Sequence, residues 1–366
     1  MQGKEISIAG REVGERHRPF LVAEMSGNHN QSLERAIQIV EAAAYAGVDA
    51  LKLQTYTADS MTLNTNRDGF LIEDSQSLWE GKILYDLYRE ASTPWEWHQP
   101  IFDLCRELGI VGFSSPCDVS AVDFLESLDV TCYKIGSFEN TDLPLIRKVA
   151  ATGKPTIIST GMATLEELNE TVKAVREAGC QDLILLKCNS VYPAHPSEAN
   201  LRTISDMRKR FQCLVGISDH SLGIGVAVAS VAFGACMIEK HFTVSRASAG
   251  VDAAFSLEPE EMKLLVSESR RAWEAIGNVH FGPTEREKKS LQFRRSIYIA
   301  EDMKAGEKFT SENLRIIRPG YGLPPKYYDP ILGKIITADA KLGTPLTWDL
   351  VGVKEEEKGL KRAEKV

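Results

Sequence analysis

The chain has 366 residues and a formal net charge of -8 at pH 7, with 43 basic and 51 acidic side chains. This length allows one large α/β domain with a small appended domain. The acidic balance excludes a general surface for nucleic acid or for anionic membranes. The seven cysteines are scattered without CxxC spacing, which is typical of reduced core residues rather than of disulfides or a zinc site.

The sequence predicts neither a signal peptide nor a membrane span. The first residues, MQGKEISIAGREVGERH, lack the apolar segment of a secretory signal. The most apolar run, VAVASVAFGACMI, is too short to cross a bilayer. Together with the cysteine pattern, these features predict a cytoplasmic protein.

Short apolar runs rich in Val, Ile and Leu alternate with amphipathic segments, as in βα units around a parallel sheet. Strands are predicted over 19–26, 50–56, 109–116, 130–137, 155–161, 182–190, 214–221 and 235–242. Helices are predicted over 33–47, 94–109, 120–128, 164–179 and 258–277. Thr164 is the expected N-cap of its helix. Eight repeats predict a TIM (β/α)8 barrel, and a doubly wound sheet, which needs fewer strands, is the second choice.

Other segments fall outside the barrel repeats. An insertion after the second strand, at about 57–93, is long enough to suggest a functional loop. We predict a barrel domain over 1–280, a linker over 281–293 and a small β-rich domain over 294–353. The charged segment 354–366 is predicted to be a solvated tail.

Polar side chains stand near the ends of most predicted strands, where the active site of a TIM barrel forms. They are Glu24, Asn28, His29, Lys52, Gln54, Ser114, Ser115, Lys134, Ser137, Glu139, Asn189, Ser190, Tyr192, Ser218, Asp219, His220, Glu239 and His241. Alternate residues of a strand share a face, so Lys52 is expected beside Gln54 and Glu239 beside His241. The sequence therefore predicts a polar site at the carboxyl ends of the strands.

His220 and His241 stand at the ends of the last two predicted strands, so both imidazoles are expected to reach one ion. A single histidine at a strand end is more often a hydrogen-bonded structural residue, but two at neighbouring ends favour a shared metal. Two imidazoles leave most of the coordination shell open. This suits Mn²⁺, Mg²⁺ or another divalent ion such as Co²⁺ acting as a Lewis acid, rather than a closed zinc site.

Lys52 and Lys134 each interrupt an apolar strand, and a buried ammonium without a partner is costly. An anion is the expected partner, and the nearby serines favour a phosphate. A lysine that forms a Schiff base is the competing chemical interpretation. The tryptophans Trp79, Trp95 and Trp97 predict either the packing of a lid or a platform for a sugar, and the sequence does not separate these two roles.

Seven long stretches follow one another along nearly the whole chain: AEMSGNHNQSLERA, ALKLQTY, KIGSFE, ISTGMATLEEL, GISDHSLG, IEKHFT and IRPGYGLPPKYYDPILGK. Together they resemble the sialic acid synthase family. The resemblance implies a TIM barrel joined to a small antifreeze-like (SAF) domain. It also implies an enzyme that condenses phosphoenolpyruvate with an N-acetylated aminosugar. Within the family, KLQTYT, the insertion and KIGSFE are most similar to the pseudaminic acid synthase branch, because N-acetylneuraminate synthases usually have Gly at the position of Phe138.

The resemblance implies roles by motif position. Phosphoenolpyruvate would be held by Lys52, Ser115, Lys134, Ser137, Ser190 and Ser218. The divalent metal would be held by His220 and His241, and the sugar would be contacted by Gln54, Tyr192 and Asp252. Glu24 and Glu139 would serve the sugar or an attacking water, with Glu24 the first choice as base. Arg318 would reach the barrel mouth of a partner subunit in a domain-swapped homodimer.

The implied sugar of the pseudaminic branch is a 2,4-diacetamido-2,4,6-trideoxy hexose of the altro series. Its methyl group is expected against aromatic walls from Phe138, Trp79, Tyr85, Trp95 and Trp97. Its C4 acetamido group would need hydrogen bonds from Asn189 or from the insertion. The departures from the family pattern are Ser115, Cys117 and Asn189, and Cys117 alters the shape expected of the sugar pocket.

Other functions stay open from the sequence. One is the synthesis of N-acetylneuraminate or legionaminic acid, and another is a metal-dependent aldolase that uses free pyruvate. An interpretation of a different class is a non-catalytic carbohydrate-binding protein. The joint presence of both histidines, both lysines and Glu24 argues against this last class.

Overall fold

The computed structural model describes residues 4–74, 78–248 and 250–352. It divides into two compact units, Met1–Gly277 and Asn278–Val366. The tail predicted over 354–366, and residue 353 of the predicted small domain, lie outside the described residues.

The larger unit is a closed parallel barrel preceded by a β-hairpin. The hairpin strands are β1 (Glu5–Ile8) and β2 (Arg11–Gly14). The barrel strands are β3 (Phe20–Glu24), β4 (Ala50–Thr55), β5 (Val111–Pro116), β6 (Tyr133–Ile135), β7 (Thr156–Ser159), β8 (Leu183–Cys188), β9 (Leu214–Ser218) and β10 (Met237–His241). They pair in chain order, and β10 closes the barrel against β3. The predicted TIM barrel is confirmed, and the doubly wound alternative is wrong.

Helices follow the strands around the barrel. They are α1 (Leu33–Ala46), α2 (Ala58–Met61), α3 (Leu84–Ala91), α4 (His98–Glu107), α5 (Val119–Ser127), α6 (Leu143–Ala150), α7 (Leu165–Glu177), α8 (Arg202–Phe211), α9 (Gly225–Val231) and α10 (Pro259–Ile276). Thr164 caps α7 as predicted, because its hydroxyl accepts a hydrogen bond from the Glu167 backbone N–H at 3.2 Å. Among the described residues, no helix combines the length and the apolar character that crossing a bilayer requires.

The larger unit has two apolar layers. One lies between the outer faces of the strands and the surrounding helices, where Leu51, Leu53 and Ile39 are fully buried. The other fills the amino-terminal end of the barrel, where Phe20 and Val22 pack with the hairpin residues Ile6 and Ile8. Because side chains alternate along a strand, the residues between the outward-facing ones point into the barrel.

The hairpin is tied to the barrel by ion pairs as well as by packing. Arg11 Nε lies 2.7 Å from Asp49 Oδ1, and an Arg18 guanidinium nitrogen lies 2.8 Å from the same oxygen. Asp49 directly precedes β4 and also accepts a hydrogen bond from the Leu21 backbone N–H at 2.9 Å. The amino-terminal end of the barrel is therefore closed.

The smaller unit has its own core around a two-stranded antiparallel sheet. Strands β11 (Ser296–Ile299) and β12 (Leu314–Ile317) pair with each other, and two short helices follow, α11 (Tyr328–Ile331) and α12 (Trp348–Val351). Ile297, Phe309, Leu314, Ile331 and Leu346 are buried together. This small β-containing unit matches the predicted fold class.

Candidate active site

A cavity of about 400 Å³ lies at the carboxyl ends of the barrel strands. Its strand-end and loop residues include Glu24, Lys52, Gln54, Ser115, Lys134, Ser137, Glu139, Ser190, Tyr192, Ser218, His220, Glu239, His241 and Asp252. The insertion adds Met61, Ile72, Trp79, Leu84, Leu87, Tyr88 and Ala91. The barrel thus provides the polar side of the cavity, and the insertion provides an apolar side.

The register of the barrel explains why the polar residues meet. Glu24 is the neighbour of Lys52 on β4 and of His241 on β10. Gln54 is the neighbour of Ser115 on β5, and Glu239 is the neighbour of Ser218 on β9. Parallel strands in this register bring residues far apart in sequence to one end of the barrel, which is where TIM-barrel active sites form.

Two lysines and two glutamates form a buried charge network in the cavity. Lys52 Nζ lies 2.5 Å from Glu24 Oε2 and 4.0 Å from Glu239 Oε2. Lys134 Nζ lies 3.2 Å from Glu239 Oε1. Lys52 also donates a hydrogen bond to Ser115 Oγ at 3.2 Å, and Ser218 Oγ donates one to Glu239 at 3.0 Å. Opposite charges therefore compensate one another where water is excluded.

The two glutamates of this network have pKa values displaced in opposite directions. Burial raises the pKa of Glu24, although the nearby Lys52 ammonium opposes this effect. Burial also acts on Glu239, but the ammonium groups of Lys134 and Lys52 outweigh it and lower the pKa of Glu239. Separated pKa values assign different roles to paired carboxyl groups. Glu239 stays ionised beside the lysines, whereas Glu24 is suited to exchanging a proton.

The two histidines face each other at the other side of the cavity, with ring centroids 5.2 Å apart. His220 Nδ1 lies 2.7 Å from the Asn189 carbonyl oxygen, which is the contact of an N–H donor. His241 Nδ1 is buried without a hydrogen bond and lies 3.6 Å from Asp252 Oδ2. Burial and the nearby positive charges lower the pKa of His241 well below its usual range. A neutral imidazole is the form that binds a metal.

The histidine pair fits an open metal site rather than a closed one. Within 4–74, 78–248 and 250–352, no group of three or more His, Cys, Asp or Glu side chains is arranged to hold a metal. An ion bound by the two imidazoles would take its remaining ligands from substrate and water. A buried ring nitrogen without a partner, together with an adjacent carboxylate, fits such an ion.

A chain of hydrogen bonds joins the histidine side of the cavity to the lysine side. Gln54 Nε2 donates to Glu24 Oε1 at 2.8 Å and to Ser26 Oγ at 3.1 Å. Ser26 Oγ in turn donates to Asp252, and burial raises the pKa of Asp252 to about 6. Glu139 also lines the cavity, and burial raises its pKa.

Two of the predicted substrate-binding residues are not among the residues that line the cavity. The Asn189 side chain donates to Glu198 at 3.1 Å, so its contribution is the backbone carbonyl that orients His220. Arg318 is exposed and belongs to the smaller unit.

The predicted aromatic walls divide into two groups. Trp79 and Phe138 line the cavity, and Trp79 Nε1 donates to the Val251 carbonyl at 3.1 Å. Trp95 stacks on Phe124, with ring centroids 4.5 Å apart. Trp97 meets the edge of His29, and the Tyr85 hydroxyl donates to Asp59. For these last three aromatic residues, the contacts are those of packing and surface anchoring.

No separate role was predicted for Glu239, although it lies at the centre of the charge network. The available signal was its position two residues before His241 on the same face of a strand. The apolar cavity residues Ile72, Leu84 and Leu87 of the insertion were not identified either. No spacing rule links a loop insertion to the cavity that it covers.

Known families match both units of the chain. The NeuB family matches residues 39–281, and the SAF domain matches residues 294–352. The antifreeze-like domain expected from the sequence is therefore confirmed.

Three known proteins show the breadth of the similarity. A pseudaminic acid synthase from Campylobacter jejuni subsp. jejuni serotype O:2 is 43% identical, over 89% of this chain and 95% of that protein. An N,N'-diacetyllegionaminic acid synthase from Legionella pneumophila subsp. pneumophila is 36% identical, over 90% of this chain and 94% of that protein. The crystal structure of N-acetylneuraminic acid synthetase from Leptospira borgpetersenii serovar Hardjo-bovis, in complex with citrate, superposes with a TM-score of 0.71. It is 28% identical, over 80% of this chain and 96% of that one. From the match over residues 39–281 and from these relatives, the chain belongs to the NeuB family, which is the sialic acid synthase family that its motifs resemble.

Proposed function

We propose that this chain is an enzyme that makes pseudaminic acid. It condenses phosphoenolpyruvate with a 2,4-diacetamido-2,4,6-trideoxy hexose of the altro series and water, and it releases phosphate. The observation that carries this proposal is a single cavity with a buried lysine pair, Lys52 and Lys134, on one side and a histidine pair on the other. The higher identity to the pseudaminic acid synthase, 43% against 36% for the legionaminic acid enzyme, supports this choice of sugar.

The lysine side of the cavity supplies the site for phosphoenolpyruvate. The two ammonium groups would bind its phosphate and carboxylate, with hydroxyl donors from Ser115, Ser137, Ser190 and Ser218. Phosphoenolpyruvate brings negative charge beside two carboxylates, and the two ammonium groups are the positive charges that would balance it.

Gly161 supports an anion cradle in this part of the cavity. A Cβ at Gly161 would lie 2.1 Å from Ser190 Oγ and 2.7 Å from Ser137 Oγ. The Gly161 backbone N–H donates to Ser137 Oγ at 3.1 Å, and Ser190 Oγ is buried without a partner. The missing side chain at Gly161 makes room for these two serine hydroxyls, and the Ser190 hydroxyl is free to donate to an oxyanion.

The reaction joins C3 of phosphoenolpyruvate to C1 of the open-chain sugar. The C2–C3 electron pair of the enol ether forms the new C–C bond, the aldehyde oxygen takes up a proton, and C2 becomes cationic. Glu24 takes a proton from water as the water oxygen adds to C2. The bond from C2 to the phosphate oxygen then breaks, and phosphate leaves with that electron pair. The C2 hydroxyl loses its proton as the keto group forms, so one water is consumed for each phosphate released.

The histidine side of the cavity would hold the aldehyde end of the sugar. A divalent ion such as Mn²⁺, Mg²⁺ or Co²⁺, bound by His220 and His241, would supply a Lewis acid for the aldehyde oxygen. The Asn189 carbonyl fixes the tautomer of His220. Tyr192 and Asp252 lie beside the histidines, and Gln54 donates to Glu24. These three residues, and Glu139 from the lysine side, would bind the polar groups of the sugar.

The insertion would recognise the distal end of the sugar. Its apolar wall, defined here as Ile72, Trp79, Leu84, Leu87 and Tyr88, lines the cavity beside the polar strand ends. A 6-methyl group packs favourably on such a wall, whereas a 6-hydroxyl would find no hydrogen-bond donor among its aliphatic members. A methyl-sized contact discriminates by about 1–3 kcal/mol. Strong selectivity therefore also needs hydrogen bonds to the C4 acetamido group.

We also propose that the enzyme is a cytoplasmic homodimer. Seven free cysteines, six of them buried, suit a reducing compartment. In a domain-swapped pair, the smaller unit of one copy would bring Arg318 to the cavity of the other. Arg318→Ala is then expected to reduce kcat/KM, whereas Arg315→Ala, which changes another exposed arginine of the same segment, should not. Equal kinetics of both variants would remove Arg318 from the site.

The proposed function is tested by offering the protein Mn²⁺, phosphoenolpyruvate and one of three sugars. These are N-acetylmannosamine and the diacetamido-trideoxy hexoses of the altro and manno series. Mass spectrometry and NMR should identify pseudaminic acid, formed with an equal amount of phosphate, from the altro sugar. Preferred turnover of N-acetylmannosamine or of the manno sugar would reassign the enzyme to N-acetylneuraminate or legionaminic acid synthesis. Product formation when free pyruvate replaces phosphoenolpyruvate would instead indicate an aldolase.

A further inference from the structure

Lys240 is a fully buried lysine outside the cavity network. Its side chain is 0% exposed, and Nζ donates to Asp219 Oδ2 at 3.0 Å, to the Ser221 carbonyl at 2.5 Å and to the Gly223 carbonyl at 3.0 Å. All three N–H groups of the ammonium therefore donate hydrogen bonds to one turn, residues 219–223.

The position of Lys240 in its strand makes this charge unexpected. Glu239 and His241 line the cavity, so Lys240 between them points away from it, into the layer that the helices cover. An apolar side chain is the usual occupant of such a position. Replacing a buried ion pair with apolar residues is often neutral or stabilising, so stability alone does not account for a lysine here.

The turn that Lys240 holds carries His220. Asp219 and Ser221, which accept two of the three hydrogen bonds, are the residues directly before and after His220. Asp219 also accepts from the Ser221 backbone N–H at 2.9 Å, and its own N–H donates to the Glu239 carbonyl at 3.0 Å. His220 is therefore fixed on both sides by contacts that lead to β10.

The same strand carries the second histidine. His241 directly follows Lys240, so one ammonium links the backbone of β10 to the turn that bears the other imidazole. A shift in this turn would change the distance between the two rings, which are now 5.2 Å apart between centroids. Groups that orient metal ligands in this way strongly affect metal affinity.

We propose that Lys240 is a positioning residue that sets the His220 ring against His241. The effect on metal binding rests on the proposed function of the histidine pair, whereas the effect on the turn does not. Lys240→Met alone would leave the buried Asp219 carboxylate unpaired and endanger folding. The test therefore uses Lys240→Met combined with Asp219→Asn, which removes the charge pair without leaving either charge behind.

A matched control removes an ion pair from the other end of the barrel. Arg11→Met deletes the ion pair that ties the hairpin to β4, and Asp49 keeps its pair with Arg18. Both variants lose one ion pair, and thermal unfolding measures the stability of each. Only the Lys240 variant is expected to change the histidine site.

Two measurements decide the inference. Calorimetric titration with Mn²⁺, without substrate, should give a dissociation constant about tenfold to a hundredfold higher for the Lys240 variant and an unchanged one for the Arg11 control. Hydrogen exchange of the segment around 219–223 should be faster in the Lys240 variant alone.

An unchanged exchange rate in the turn would overturn the inference, whatever happens to the metal. Faster exchange with unaltered Mn²⁺ affinity would also overturn it, because Lys240 would then only stabilise the turn. If the unsubstituted protein bound no Mn²⁺, the proposed metal role would fail instead. The exchange measurement would then decide by itself whether Lys240 holds the turn.

Discussion

The two ends of the barrel are built from the same eight strands but differ in almost every property. Strand β3 shows the change within five residues: Phe20 and Val22 pack with the hairpin, whereas Glu24, two residues further on, lies in the charge network of the cavity. Strand β10 changes in the same way from Met237 to Glu239. We call these two ends the hairpin end and the cavity end.

The hairpin end mainly stabilises the fold, whereas the cavity end carries the functional groups. At the hairpin end, buried apolar side chains contribute favourable free energy with no polar group left to satisfy. At the cavity end, burial of charged groups costs free energy that ion pairs recover only in part. Side chains that are costly to bury and gather at one end of a barrel indicate catalysis. Substitutions at the two ends should therefore have opposite consequences for activity and for stability.

The largest effect on activity is expected from His220→Ala and His241→Ala. Loss of a ligand to a Lewis acid removes several kcal/mol of transition-state stabilisation, which corresponds to about a thousandfold in kcat. The thermal midpoint should change little, because neither ring belongs to the apolar core. Steady-state kinetics with saturating Mn²⁺ measures the effect, and activity within a few fold of the parent in both variants would refute the assignment.

The hairpin end should respond in the opposite way. Ile8→Ala truncates a fully buried side chain and should lower the free energy of unfolding by about 3 kcal/mol, with kcat and KM unchanged. Ile276→Ala removes the same atoms from a half-exposed position and is the matched control. Urea unfolding measures both variants. Equal, small losses from both would mean that the hairpin does not stabilise the barrel.

Removing a lysine at the cavity end should weaken the use of phosphoenolpyruvate. Lys134→Met deletes a charged donor, and we expect kcat/KM for phosphoenolpyruvate to fall by about tenfold to a hundredfold. Lys187→Met, on strand β8, changes a lysine outside the cavity. If both variants reduce kcat/KM equally, the loss does not come from the anion site.

Low pH should reduce the free energy of unfolding through a buried histidine at the cavity end. His98 Nε2 lies 2.8 Å from Thr55 Oγ1 at the end of β4, and burial lowers the pKa of His98 to about 4. The unfolded chain binds this proton below about pH 6.5 and the folded one does not. Stability is therefore full above that pH and falls as the pH drops toward 4. The loss for His98 should reach about 2 kcal/mol at pH 5.

Urea unfolding at pH 7 and pH 5 measures this loss. His98→Gln should show a pH dependence smaller by about 2 kcal/mol, because glutamine does not titrate in this range. His29 is buried with a pKa also lowered to about 4, so it should account for a further part of the acid sensitivity. An unaltered pH dependence in His98→Gln would show that this ring is not kept neutral by the fold.

The barrel and most of its cavity residues could be predicted because both depend on local periodicity. Alternation along short apolar runs locates strands and tells which residues share a face. Helix α8 (Arg202–Phe211) was not predicted, since only Ile204, Met207 and Phe211 are buried among its charged residues. Helix α6 (Leu143–Ala150) was also not predicted. The hairpin was missed because each of its strands has only four residues.

Contacts made by individual side chains could not be predicted. The alternation pattern predicts Asn189 at a strand end, but its side-chain amide donates a hydrogen bond to Glu198, nine residues further along the chain. Trp95 was expected to line the cavity, but its ring packs on Phe124. The contacts of Lys240 were not predicted either, since all three of its partners lie in the turn 219–223. Such contacts are set by tertiary packing, which a single segment does not encode.

The central claim is that the cavity end breaks the bond between C2 of phosphoenolpyruvate and its phosphate oxygen. Phosphoenolpyruvate labelled with ¹⁸O in the bridging oxygen tests this directly, because phosphate does not exchange its oxygens with water on the time scale of the assay. With the altro diacetamido sugar and Mn²⁺, we predict that the released phosphate carries the label. Unlabelled phosphate, or phosphate that takes ¹⁸O from labelled water, would mean P–O cleavage and would contradict the proposed reaction.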